Sequence, residues 1–128
     1  MRDATRRHNM NDDGVVSIEL ALILPLLLLL IFGIIQFGRA YNAKIELSSA
    51  VREGARAFAL GTDDPEAVTK DAAPGLDADL IEVETSTSPC TSGEEASVTA
   101  SYPFDLNVPF WGDHAITISA TGVMRCSG

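Results

Sequence analysis

What the chain has little of narrows its chemistry first. Histidine occurs only at His8 and His114, far apart, so no pair stands ready to bind a metal or share general acid–base work. His8 lies in a polar leader, and His114 reads as a partly exposed residue at the start of a strand. No G-x-S-x-G elbow, P-loop or dinucleotide-binding glycine pattern occurs. The sequence therefore predicts no enzyme, no cofactor, no metal and no small-molecule substrate. Basic residues are also few, nine against 18 acids, for a net charge of −9. Nucleic acid needs a basic face to meet its phosphates, and none is visible. The acids gather between Asp63 and Glu95, which suits a soluble, water-facing surface.

There are two cysteines, Cys90 and Cys126, and they do not form a C-x-x-C motif. Two thiols in a domain that has crossed a membrane suggest a disulfide, worth about 4 kcal/mol for a loop of this length. In a reducing compartment they would remain free thiols. No cysteine lies near the start of the apolar segment, which excludes a lipidated anchor.

What the chain does have is one long apolar run, G-V-V-S-I-E-L-A-L-I-L-P-L-L-L-L-L-I-F-G-I-I-Q-F, from Gly14 to Phe37. As a helix, Val15 to Ile35 would extend roughly 30 Å, enough to cross the hydrocarbon core. A helix apolar on every side is a membrane segment, so lipid is its first partner. Glu19 breaks the pattern. A charge inside a spanning helix costs roughly 2.5–3.5 kcal/mol on insertion scales and is a functional candidate by default. The plainer alternative is that it snorkels to the headgroups from near the helix end. Pro25 removes one backbone bond and predicts a mild kink, while Gly33 and Gly38 leave shallow spots that either admit a second helix or are incidental.

Residues 1–13 are polar and too short to fold alone. Arg2, Arg6 and Arg7 suit a cytoplasmic flank, but Arg39, Lys44, Arg52 and Arg56 are as numerous beyond the run, so basic charge alone does not fix orientation. The cysteines and the short leader favour the C-terminal side being outside. Gly38 and Ala40 would also suit a signal-peptide cut releasing the domain, which would leave Glu19 and Pro25 without a role.

The helical period continues past the membrane segment to Leu60. Leu47, Val51, Gly54 and Phe58 form a narrow seam with Ala50, Ala55 and Ala59 beside it, and Gly61 is the expected stop. Such a seam suits packing against other long helices or against the chain's own domain. Thr62-Asp63-Asp64-Pro65-Glu66 predicts a short helix from Pro65 to Ala73, ended by Pro74-Gly75. The acids Asp63, Asp64, Glu66 and Asp71 lack calcium-loop spacing and read as capping and solvation.

Alternation then predicts three antiparallel strands. Leu80–Thr87 places Ile81, Val83 and Thr85 on one face. Glu95–Tyr102 places Ala96, Val98, Ala100 and Tyr102 inward, and Ala115–Arg125 does the same with Ile116, Ile118 and Ala120. Ser88–Gly93 is expected as a turn. Pro103–Asp113 is expected as a connecting loop, with Phe104, Leu106, Val108, Phe110 and Trp111 tucked under the sheet. The fold class is thus α+β: a long N-terminal helix, a short helix and a small three-stranded antiparallel sheet covered by the helices, with Cys90 meeting Cys126.

The run from Gly14 through Phe37 and on through G-R-A-Y-N-A resembles the N-terminus of the TadE-like family, the minor pseudopilins of the tight-adherence (Flp/Tad) pilus machinery. The resemblance continues through A-V-R-E-G-A-R-A-F-A-L-G and more weakly through V-T-A-S-Y-P-F and I-T-I-S-A-T-G-V-M-R. It implies a cytoplasmic leader at 1–14, cut by a prepilin peptidase between Gly14 and Val15. A transmembrane helix at 15–37, its amphipathic extension at 38–61 and an extracytoplasmic domain at 62–128 would follow. Glu19 would become the fifth residue of the mature chain, its carboxylate pairing with the new α-amino group of a neighbouring subunit. The implied partners are the peptidase, other pilins or pseudopilins and the pilus assembly platform. Localisation would be the cell membrane, in association with a pilus. Two departures stand out: Asp12 and Asp13 occupy places where a basic residue is more usual, and the domain is larger than that of a major pilin. Competing readings are an uncleaved single-pass protein presenting a binding domain and a transporter accessory subunit using Glu19 as a proton or substrate contact.

Overall fold

The computed structural model describes residues 10–86 and 89–127, with side chains from residue 14 onward. A single α-helix, α1, runs from Met10 to Ala59, 50 residues with Pro25 inside it. It therefore begins ahead of the apolar run, inside the stretch read as leader. α1 is long and apolar enough to cross a membrane by length and composition, and none of its most apolar window is buried. It ends as expected at Gly61, whose positive φ of 80° allows the last turn to close. Gly61 N–H bonds the Phe58 carbonyl at 3.0 Å and Thr62 N–H bonds that of Ala57 at 3.0 Å, satisfying two otherwise orphaned acceptors.

α2, Pro65–Asp71, is shorter than expected but begins where expected. The Asp64 carboxylate accepts from Ala67 N–H at 2.9 Å, and proline occupies the first turn. Glu66 accepts from Lys70 at 2.7 Å one turn on, a hydrogen bond that is the main reason the Lys70 ammonium titrates above its ordinary value. Two members of the acidic cluster thus have structural roles, as cap and as ion-pair partner.

The sheet has the order β1-β2-β3, all antiparallel, with β1 at Glu82–Thr85, β2 at Glu95–Val108 and β3 at Gly112–Arg125. β1 is shorter than expected: Leu80 belongs to a 3-10 turn, Ala78–Leu80, and Thr85 is exposed. Thr87 and Ser88 of the expected strand end and turn lie outside the described residues. The larger correction concerns Pro103–Asp113. It is not a loop beneath the sheet but the far half of a long β2–β3 hairpin, paired through Asn107↔Asp113 and Val108↔Gly112. Pro103 is tolerated because β1 pairs with β2 only as far as Ser101, so the strand beyond has a free edge. The alternation begun at Ala96 simply continues. Phe104 is buried and Leu106 and Val108 are half-buried, but Phe110 and Trp111 project into the open at 92% and 71% exposure. Ile116, opposite Phe104, is also less covered than expected, at 40% exposure.

α1 lies along the sheet. Lys44 donates to the Ser119 carbonyl, Gly122 abuts the Val51 backbone and Ser127 Oγ donates to the Ala59 carbonyl at 3.3 Å, so β3 runs in the same direction as the helix. The core between them is built of small residues, including Ala43, Ala50, Ala55, Ala96, Ala100 and Ala120, around the fully buried Leu47, Val51 and Val98. Each large apolar side chain contributes about 1.5–3 kcal/mol of burial. The alanines allow the close approach that a narrow seam requires. The Cys90–Cys126 disulfide closes the sheet's other end, with Cα atoms 5.7 Å apart and a sequence separation of 36.

Candidate functional site

The site candidates lie on α1, and the helix divides into two parts. Along its C-terminal half, Leu47, Val51 and Phe58 are buried against the chain's own sheet and short helix. Of the two partners a seam could have had, this one is the domain. Gly54 belongs to that contact: a methyl there would run into the buried Thr69, whose hydroxyl donates to the Pro65 carbonyl at 2.7 Å.

Along the N-terminal half, the apolar side chains from Val15 to Phe37 are largely exposed. Gly14 and Val15 sit within continuous helix, and Glu19 is exposed one turn beyond Val15. Residues four apart share a helix face, so a charge at Val15 and the Glu19 carboxylate fall on one side. Between Glu19 and Arg39 lie 19 consecutive uncharged residues, about 28 Å of helix. Pro25 falls in this stretch. Gly33 and Gly38 are open: a methyl at either would meet nothing within 4 Å. The chain's own packing therefore imposes no requirement for glycine at these positions.

The buried stripe does not stop where the apolar span begins. Ala40, Gln36 and Leu29 are half-buried, continuing the seam into the span at helical spacing. The hairpin tip covers them. Gln36 Nε2 donates to the Asn107 carbonyl at 2.9 Å, and Leu29, Phe32 and Gly33 line one small cleft with Val108 and Pro109. Slightly higher, the Arg39 guanidinium lies 5.8 Å from the centre of the Phe104 ring. Sequence reading missed this overlap, although the uninterrupted alternation through Phe104, Leu106 and Val108 carried the signal.

With this arrangement in view, the comparison with known families is decisive for one part of the chain. Residues 14–56 match the family model described as TadE-like protein. This segment is TadE-like. The match starts at Gly14, takes in Glu19 and the whole apolar run, and ends in the last turns of α1. No curated protein and no solved structure matches the chain. The match lies within α1 and covers about a third of the chain, and it is a likeness of that segment. Among the described residues no group of three or more histidine, cysteine or acidic side chains could hold a metal ion.

Proposed function

We propose that the chain is a minor pseudopilin of the tight-adherence pilus, cut by a prepilin peptidase between Gly14 and Val15. The observation that supports this reading is the TadE-like match over residues 14–56, which opens at Gly14; with the cut proposed here, Glu19 becomes the fifth residue of the mature chain. The Gly14–Val15 bond lies in helix, and a peptidase needs it locally unwound. Glycine, roughly 1 kcal/mol less favourable than alanine in a helix, lowers the cost of that opening.

In the mature protein, α1 spans the membrane with its N-terminus at the cytoplasmic face, and the disulfide-closed domain stands outside. The exposed apolar half of α1 faces lipid before assembly and other pilin helices afterwards. Other pilins or pseudopilins, the assembly platform, the peptidase and lipid are its partners. Glu19 acts as a register selector: beside the α-amino group of a neighbour its carboxylate is compensated, and out of register it is a buried, unpaired charge.

The test is a pair of variants, Glu19→Ala and Glu19→Gln, expressed with the cognate pilus genes. Both should retain the membrane fraction and the disulfide yet lose co-assembly with pilins, since an orphaned buried partner charge costs roughly 3–5 kcal/mol. Normal incorporation of both variants would contradict the role given to Glu19. One observation favours the uncleaved single-pass alternative, namely that α1 runs without interruption from Met10 through the proposed cut. That alternative expects residues 1–14 to persist and both Glu19 variants to be silent.

A further inference from the structure

The hairpin tip carries an unusual turn. Trp111 N–H bonds the Val108 carbonyl at 3.1 Å, Pro109 occupies the first corner and Phe110 the second, with a φ of 75°. Proline followed by a positive φ is the pattern of a type II turn, whose second corner normally belongs to glycine. A bulky aromatic residue there is strained, and backbone strain of this kind concentrates at functional positions. The Phe110 ring gains nothing from the domain in return, being almost wholly exposed like that of Trp111. From Val108 to Gly112 the tip is without charge, and polar side chains begin immediately behind it, where Asn107 donates to Asp113 at 2.8 Å.

The tip's level along α1 identifies what meets these rings. Its backbone is fastened at Gln36, and Val108 and Pro109 share a cleft with Leu29, Phe32 and Gly33. Those residues lie roughly one to three turns on the apolar side of Arg39, about 5–15 Å below the first charge that ends the uncharged stretch. A tip held beside that part of α1 enters whatever medium surrounds the helix there. Exposed Phe37 and Tyr41 flank the Arg39 boundary just above the tip, as aromatic rings do at a bilayer interface.

We propose that the β2–β3 hairpin tip, through Phe110 and Trp111, is a membrane anchor that inserts into the outer leaflet alongside α1 and fixes the domain's height and tilt on the bilayer. The proposal rests on the membrane-spanning reading of α1. It assigns the partner of these two rings to lipid acyl chains rather than to protein.

Trp111 is the sole tryptophan, so the native chain reports on itself. The full chain would be reconstituted in phosphatidylcholine–phosphatidylglycerol vesicles containing lipids doxyl-labelled near the headgroup or near the chain end. Trp111 emission should be blue-shifted, shielded from aqueous iodide and quenched more strongly by the shallow label. A second chain, Trp111→Phe with Leu26→Trp, moves the reporter to mid-span, where the deep label should quench it. If the Leu26→Trp reporter is lipid-quenched while Trp111 is quenched by iodide alone, the tip proposal is overturned and the span stands. Trp111 shielded from both iodide and lipid would mean that protein covers the tip, which also overturns it. Iodide quenching of the Leu26→Trp reporter would overturn the span, and the tip proposal with it.

Discussion

Gln36 and Asn107, 71 residues apart in sequence, are joined by a 2.9 Å hydrogen bond from the Gln36 side-chain amide to the Asn107 carbonyl. It ties the apolar half of α1 to the hairpin, and it gives a polar residue in an apolar run a partner. Gln36→Leu should therefore loosen the tip without unfolding the domain. A loss of about 1 kcal/mol corresponds to roughly five-fold faster amide exchange over residues 105–113, with the Leu47 region unchanged. Hydrogen-exchange mass spectrometry in detergent checks this.

The glycines separate internal packing from external packing. A Cβ at Gly122 would collide with the Val51 carbonyl, backbone that cannot swing aside, so Gly122→Ala should destabilise the domain by about 1–3 kcal/mol. Gly33→Ala and Gly38→Ala meet open space and should leave stability unchanged or raise it by up to about 1 kcal/mol, as expected of glycine replaced in a helix. Thermal melts of the three variants in detergent give the comparison. Once the melting temperature of Gly38→Leu is itself shown to match that of the native chain, an assembly defect in that variant reports on a partner helix.

Phe110 makes the opposite kind of prediction. Phe110→Gly relieves a left-handed backbone worth roughly 1–2 kcal/mol, offset by the extra freedom glycine loses on folding, roughly 0.5–1 kcal/mol. The variant should melt at the same temperature as the native chain or slightly above it. A substantial fall in melting temperature would mean that the ring supports the fold.

The disulfide should be worth most to the sheet's closed end. Replacing both Cys90 and Cys126 by alanine should cost up to about 4 kcal/mol, and reductant should bring the native chain to a similar stability. Chemical denaturation with and without reductant measures both. Leu47→Ala, which removes a fully buried side chain from the α1–sheet contact, should cost about 2–5 kcal/mol in the same assay.

Much of this fold was legible in the sequence where one period dominated. The apolar run, the seam at Leu47, Val51 and Phe58, the Gly61 stop and the Asp64–Pro65 start each follow from local rules, and they appear as read. The pairing of Cys90 with Cys126 followed from the strand order. The hairpin was misread because Pro103 looked like a break and the aromatic cluster after it looked like core. Whether a proline breaks a strand depends on which neighbours pair beside it, and whether a ring is buried depends on where the helix cover ends. Both are tertiary facts. The overlap of the tip with Leu29 and Gln36 was invisible for the same reason, since nothing local relates residue 36 to residue 107. The open sides of Gly33 and Gly38 were likewise beyond reach, because a shallow spot on a helix is defined by what fails to cover it.

Processing at Gly14–Val15 is the claim on which the pilus reading turns, and intact mass with N-terminal sequencing tests it directly. The membrane-extracted chain would be compared from cells with and without the cognate prepilin peptidase. The expected result is a mature chain beginning at Val15 that appears only with the peptidase, placing a free amine one helical turn from Glu19. A chain still beginning at Met1, in cells where the peptidase demonstrably cuts another substrate, would contradict it.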